Sequence, residues 1–249
     1  MRRLGARVFR FETTDSTNAR LLSRCGDAPD GTIAVAEHQT AGRGRFGRRW
    51  DSPRRASILL SVLLYERAGS PLASNATVIA ALAACEAIER TCALRAAILW
   101  PNDVVIGDRK VGGVLAETRS FADGARRAVV IGVGLNCYQH RGHFPPELRD
   151  RATSLDLEST AAVDRAAVAA ELVRCLDAGL AGVVDDERVE SWCDELRRRC
   201  DPHRDITLVE NGVRFTGRIC DVSPGGAVVL ASADGERRRF GPAATTHSG

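Results

Sequence analysis

The stretch AILWPNDVVIGDRKVGGVLAETRSFADGARRAVVIGV, residues 97–133, decides the fold class. It holds three strand candidates in succession, Ala97 to Trp100, Gly113 to Thr118 and Ala128 to Val133, each bounded by Gly, Asp or Pro. Strands this close in sequence, joined by short turns, imply an antiparallel or mixed sheet. Ahead of them the alanine-rich run from Ser74 to Thr91 has high helix propensity and is apolar on nearly all sides, as a helix lying across a sheet should be. The two together predict an α+β architecture, a mixed sheet packed by helices.

Working outward, residues 7–14 alternate like an edge strand, DSTN at 15–18 offers helix-capping side chains, Thr32 to Glu37 and Ile58 to Leu64 read as strands, and a long polar loop joins the last two. Residues 161–199 carry helical spacing broken around Gly182, and the second helix ends in Arg197, Arg198 and Arg199. Beyond Pro202 come short β segments separated by NG, SPGG and DG turns, a small barrel too poor in core to do chemistry alone. The expected division is a catalytic domain over 1–200 and an appended SH3-like β-barrel over 201–249.

The chain has 249 residues, 44% hydrophobic and 27% charged, which excludes a disordered, collagenous or coiled-coil protein. Its longest weakly polar run, Ala76 to Ile88, is shorter than the ~20 residues of a bilayer span, and the N-terminal residues lack the apolar core of a secretory signal. A cytoplasmic protein is expected. The eight cysteines form no CxxC pair and sit in apolar patterns, which predicts reduced core thiols. A net charge of +3 does not by itself argue for nucleic acid.

The kind of basic residue says more than the net charge. Of 35 Lys plus Arg, only Lys110 is a lysine. A compact ammonium on a flexible stem is not interchangeable with a guanidinium fork, so in a chain that otherwise uses arginine Lys110 is a candidate for close contact with a carboxylate or phosphate; compositional accident is the alternative. Its neighbours strengthen the case. Asn102 and Asp103 stand at the polar end of a strand, where they can hold Mg²⁺ or orient an amine, or else simply form a turn. Gly112 and Gly113 leave room for a ligand against backbone. In TAGRGRFGRRWDSP, 40–53, Gly42, Gly44 and Gly47 alternate with Arg43, Arg45, Arg48 and Arg49, a pattern suited to an oligophosphate though equally to a solvated or RNA-contacting loop. It is neither a P-loop nor a dinucleotide fingerprint. VVIGVGLNCYQ, 129–139, reads as a strand ending in a glycine-spaced turn with Asn136 at its mouth, able to read a purine edge or merely to tolerate a left-handed turn.

Taken together, DSTN at 15–18, EHQTAGRGR at 37–45 with Trp50, WPNDV at 100–104, RKVGGVLAE at 109–117, GVGLN at 132–136 and ATSL at 152–155 resemble the biotin protein ligase family in motif, order and spacing, over about residues 10–240. The resemblance implies a class II aminoacyl-tRNA synthetase-like catalytic domain. It also implies a reaction in which biotin and ATP, with Mg²⁺, form biotinyl-AMP and pyrophosphate before a lysine of a biotin carboxyl carrier protein takes the biotin. On this likeness Ser16, Thr17, Asn18 and Gln39 would bind the ureido head, with Gly112 and Gly113 as a floor. The Gly42, Arg43, Gly44, Arg45 loop would close over the ligand and bring arginine to the phosphates. Lys110 would pair first with the biotin carboxylate and then with the adenylate phosphate. Trp50 would cover the adenine, Asn136 contact it, Asn102 help with phosphate or Mg²⁺, and Asp103 orient or deprotonate the incoming lysine. The catalytic set would be Lys110, Arg45 and Asp103, with no permanently bound cofactor.

The sequence departs from the family pattern at Phe46 and Leu99, each standing where a cation is common, and at Cys137 and Tyr138 after Asn136. The catalytic pattern begins near residue 10, so a ligase without a DNA-binding domain, a monomer or weak homodimer, is expected. Lipoate ligase is the nearest alternative enzyme. An RNA-binding module is the alternative from another class, opposed by an aromatic content of only 5%.

Overall fold

The computed structural model describes residues 3–67, 69–181, 183, 185–200 and 204–247; Gly182 and Pro202, where the sequence reading breaks the helices and begins the barrel, lie outside them. The chain runs β1 (Val8–Phe11), α1 (Thr17–Leu22), β2 (Thr32–Ala36), β3 (Ser57–Arg67), α2 (Leu72–Cys92), β4 (Ala97–Leu99), β5 (Asp103–Ile106), β6 (Arg109–Ser120) and β7 (Arg126–Asn136). Three helices follow: α3 (Leu155–Glu158), α4 (Arg165–Leu180) and α5 (Asp186–Arg199). The chain closes with β8 (Ile206–Glu210), β9 (Val213–Val222), β10 (Val228–Ala231), β11 (Arg237–Phe240) and β12 (Thr245–His247).

The first seven strands form one sheet in the order β1-β2-β3-β7-β6-β5-β4. Only β1 and β2 pair in parallel, so the sheet is mixed, as expected. Strand periodicity sorts its two faces. Leu60, Val62 and Leu64 of β3 and Val129, Ile131, Val133 and Leu135 of β7 join the main core with α2. Leu63, Ala128 and Val130 pack beneath Leu21 of α1 on the opposite face. Further along that second face β3 and β7 turn polar or small, with Ser61, Gly132, Gly134 and Asn136, and there the sheet opens to the cleft described below.

Two elements differ from the sequence reading. A four-residue strand, β5, stands between the first two strand candidates, where the sequence reading assigns none: Asp103 begins a hairpin with β4 and also pairs with β6. Gly132 and Gly134 lie inside β7 and not in a turn after it. Glycine in a strand commonly marks a close approach rather than a break. The helix α2, at 21 residues, is long and apolar enough to cross a membrane, but 72% of its most apolar stretch is buried in the protein, between the sheet and α4. The uninterrupted apolar run counted in the sequence is thus shorter than the helix that contains it.

Strands β8–β12 form a second, antiparallel sheet in the order β11-β10-β9-β8-β12. It packs on α2 and α5, and its Leu208, Val228, Leu230 and Phe240 belong to the same apolar core as the first sheet. The Trp100 indole donates to Gly226 O (2.8 Å) and Gly225 N–H donates to Asn75 Oδ1 of α2 (2.9 Å). All eight cysteines are among the described residues and are free thiols.

Candidate active site

The open end of the α1 face holds a cleft of about 1720 Å³, larger than the ~300–1,000 Å³ of a site for one small molecule. Its walls carry eight arginine or lysine side chains against four aspartates, a balance that favours an anionic occupant. Ser16, Thr17, Asn18, Gln39, Arg43, Gly44, Arg45, Trp50, Asn102, Asp103, Lys110, Gly113 and Asn136 line it together. Gly42 and Gly112 do not. Both are spacers: a side chain on Gly42 would strike Trp50 O and Gln39 Nε2, and one on Gly112 would strike Leu135 and Gly134 O across the sheet. The backbone floor expected of the glycine pair therefore falls to Gly113.

At one end of the cleft lies a buried polar set at the start of α1. Ser16 caps the helix, accepting from Ala19 N–H. Thr17 donates both its N–H and its hydroxyl to Gln39 Oε1 (2.7 and 3.1 Å). Asn18 donates Nδ2 to Leu115 O and to Glu117 Oε2, and its Oδ1 accepts from the Ser61 hydroxyl at 2.6 Å. Gly132 is small because Asn18 Oδ1 occupies the space of its missing side chain. Sequence reasoning misses Ser61 and Glu117. The serine inside ILLSVLL was the available signal.

Over the middle of the cleft, the glycine-arginine loop folds into a hairpin. Trp50 N–H donates to Gly42 O, Gly44 N–H donates to Arg48 O, and Arg43 bridges Arg49. Phe46 and Gly47 take positive φ at the tip (56° and 73°), and Phe46 is 59% exposed with the Arg45 guanidinium 4.7 Å over its ring. Arg43 pairs with Glu117 (3.1 Å). Arg45 donates to Asn102 Oδ1 (3.2 Å) and to the carbonyls of Pro242 and Ala244, tying the hairpin to the second sheet. Burial, with the Arg48 charge, holds the Arg45 guanidinium below its usual pKa against the opposing pull of Asp103.

Lys110 reaches the cleft through an irregularity in its strand. The β5–β6 register slips between Val104 and Val105, so that Val105 faces Lys110 and Val104 faces Gly112. The extra residue, Val111, turns into the core, and Lys110 comes to the same side as Gly113 and Asp103. Lys110 Nζ donates to Asp103 Oδ1 at 2.6 Å and sits 5.8 Å from the centre of the Trp50 ring. The ATSL motif braces this arrangement: Lys110 N–H donates to Arg151 O, and Thr153 N–H donates to Lys110 O.

Beyond Lys110, the Trp50 ring lies against Gly134, where a side chain would meet it at 2.7 Å. Asn136 donates Nδ2 to Thr153 O (3.0 Å) and accepts from Gln139 Nε2 (2.9 Å). Among the described residues, four buried side-chain nitrogens or oxygens lack a partner, and three of them, His38 Nδ1, Trp50 Nε1 and Gln139 Oε1, belong to residues lining this cleft. Native proteins leave few such groups unmet, so their concentration here marks a place for a ligand. No group of three or more His, Cys, Asp or Glu among the described residues is arranged to hold a metal.

The sequence model of the biotin/lipoate A/B protein ligase family matches residues 10–136, from β1 through the end of the cleft's last strand. The chain belongs to that family. Among its relatives in the family is the biotin–[acetyl-CoA-carboxylase] ligase of Mycobacterium tuberculosis, 35% identical over 236 residues, covering 88% of this chain and 84% of the relative. The bifunctional ligase/repressor BirA of Bacillus subtilis is 37% identical over 151 residues, 61% of this chain and 46% of the relative. The chain spans about half the length of the Bacillus relatives it matches. Among solved structures, the Aquifex aeolicus biotin protein ligase in complex with biotin and ATP superposes with a TM-score of 0.81 at 24% identity, covering 98% of this chain and all of that one. The fold is that of a biotin protein ligase, a mixed sheet with helices and a C-terminal antiparallel sheet.

Proposed function

We propose that the chain is an ATP-dependent biotin protein ligase that modifies the carrier protein of a biotin-dependent carboxylase. One observation carries the reading. The only lysine of an arginine-rich chain is turned by a strand irregularity into a basic cleft, between a buried polar set at one end and a tryptophan–asparagine pair at the other. A carboxylate bound from the first end and a nucleotide from the second would meet beside it.

In this reading the ureido group of biotin hydrogen-bonds with Ser16, Thr17, Asn18 and Gln39, and its ring system lies over Gly113. A biotin carboxylate oxygen attacks the α-phosphorus of ATP. The bond to pyrophosphate breaks, and pyrophosphate leaves with its electron pair. Lys110 offsets charge as it gathers at the α-phosphorus, while Arg43 and Arg45 reach the phosphates, Arg45 by giving up its carbonyl partners in the turn between β11 and β12. Asn102 helps hold phosphate or Mg²⁺. The hairpin excludes water from the mixed anhydride. The carrier lysine then attacks the acyl carbon and AMP leaves; Asp103, now holding Lys110, orients that amine or takes its proton.

Residues 1–200 form the catalytic domain in this account, of the class II aminoacyl-tRNA synthetase-like kind. Residues 201–249 form an SH3-like barrel, a reading supported by five short antiparallel strands. Pyrophosphate release from ATP and Mg²⁺, measured with biotin, with lipoate and with neither, tests the reading. Release with biotin alone supports it, release with lipoate moves the protein to the other branch of its family, and silence with both refutes it.

A further inference from the structure

Gln139 is 2% exposed, lines the cleft, and has a buried Oε1 with no partner. The orientation of its amide is fixed by a chain of bonds that starts at a backbone carbonyl. Thr153 O can only accept, so Asn136 must present Nδ2 to it, at 3.0 Å. Asn136 Oδ1 then faces Gln139 and can only accept, so Gln139 must present Nε2, at 2.9 Å. The second hydrogen on Nε2 is taken by Ser57 Oγ at 2.6 Å. Ser154 Oγ holds the backbone of Gln139 by donating to its carbonyl (2.7 Å). Turning the Gln139 amide over would set oxygen against oxygen, and turning Asn136 with it would do the same at Thr153. Gln139 Oε1 is therefore a fixed acceptor in want of a donor, and leaving such a group unmet is costly.

We infer that Gln139 selects the base of the nucleotide, its Oε1 accepting a hydrogen bond from the 6-amino group of adenine. The inference rests on the proposed use of ATP, with the base lying toward Trp50 and Asn136. Adenine carries a donor at position 6, whereas guanine and hypoxanthine carry an oxygen there and would meet Oε1 acceptor to acceptor. The pinned amide lets the site reject them, since a buried acceptor that cannot rotate has no second way to be satisfied.

Calorimetric titration of the intact chain with the Mg²⁺ complexes of ATP and of purine riboside triphosphate, which lacks the 6-amino group, tests this. The wild type should bind ATP about 10-fold or more tightly than the analogue. In Gln139→Met, which also frees Asn136, both nucleotides should bind more weakly, ATP by the larger factor, so that the gap closes to about 2-fold while binding of biotin is unchanged. A gap that survives in the variant, or equal losses for both nucleotides, would overturn the inference. The wild-type comparison needs no variant: equal affinity for the two nucleotides, or binding of neither, overturns it as well. A chain that discriminates as described but releases no pyrophosphate with biotin would refute the proposed ligation and leave the role of Gln139 standing.

Discussion

Lys110 is the residue on which composition and structure converge. Its singularity among 34 arginines is visible in the sequence, but its partner is not: Asp103 stands seven positions away and reaches it only because Val111 is absorbed into the core. Lys110 Nζ meets Asp103 Oδ1 at 2.6 Å as a single-point contact, which a planar guanidinium fork would not reproduce. Lys110→Arg should keep the fold and slow biotinyl-AMP formation by at least ~10-fold, about 1.4 kcal/mol of transition-state stabilisation. Single-turnover adenylate formation at the wild-type rate would remove the role given to Lys110. Ser61 shows the opposite case. Within ILLSVLL it reads as part of a uniformly buried strand, and only the folded register sets its hydroxyl between Thr17 Oγ1 and Asn18 Oδ1, at 2.7 and 2.6 Å. Ser61→Ala should cost about 1 kcal/mol of stability and raise KM for biotin while leaving KM for ATP alone. Equal changes in both would show that the serine serves the fold in general.

At the scale of elements, strand and helix positions were mostly legible because the periodicity of the chain agrees with its burial. The glycines of β7 were not. Local propensity makes GVG a turn signal, and what overrides it is tertiary: Asn18 and Trp50 occupy the space above Gly132 and Gly134. The glycine-arginine run was legible as an anion-binding candidate but not as a hairpin held to the second sheet, since the acceptors of Arg45 lie about two hundred residues on. The arginines ending α5 suggested a macrodipole effect, and one does more. Arg199 donates to both oxygens of Glu89 on α2 (2.8 and 2.9 Å) and to Ala96 O, so it joins two helices to the approach to β4. These hydrogen bonds hold the Glu89 carboxyl below its ordinary value of 4.5, against the effect of burial. The stability this lends is full above that value and is lost as pH falls through the lower, folded one. The stability measured by denaturant unfolding should therefore fall progressively below about pH 4.5. Arg199→Leu should lower stability at neutral pH by about 1–2 kcal/mol, the value being limited by partial solvent screening at Glu89, and should make the acid loss shallower. An unchanged acid profile in the variant would place the sensitivity elsewhere.

The molecule as a whole is two sheets whose apolar side chains join in one core, which is how an appended unit reads from the sequence once it packs on the main one. The change in character near residue 200 is real at the level of strands, but Trp100, Asn75 and Arg45 bind the second sheet to the first. Such long-range contacts leave no local signature. The cysteines were legible because apolar surroundings predict reduced thiols. Burial raises Cys85, Cys137, Cys175 and Cys200 to about 12, so a native-state thiol titration near neutral pH should leave these four unreacted until the protein unfolds. Rapid modification of all eight without loss of structure would contradict that packing.

The cleft's chemistry is tested most directly by the mass of a biotin carboxyl carrier domain incubated with this protein, ATP, Mg²⁺ and biotin. The expected product carries one added biotinyl group on a single lysine, in a reaction dependent on ATP and greatly slowed in Lys110→Arg. An unmodified carrier, or one that gains a lipoyl group instead when lipoate is supplied alongside, would contradict it.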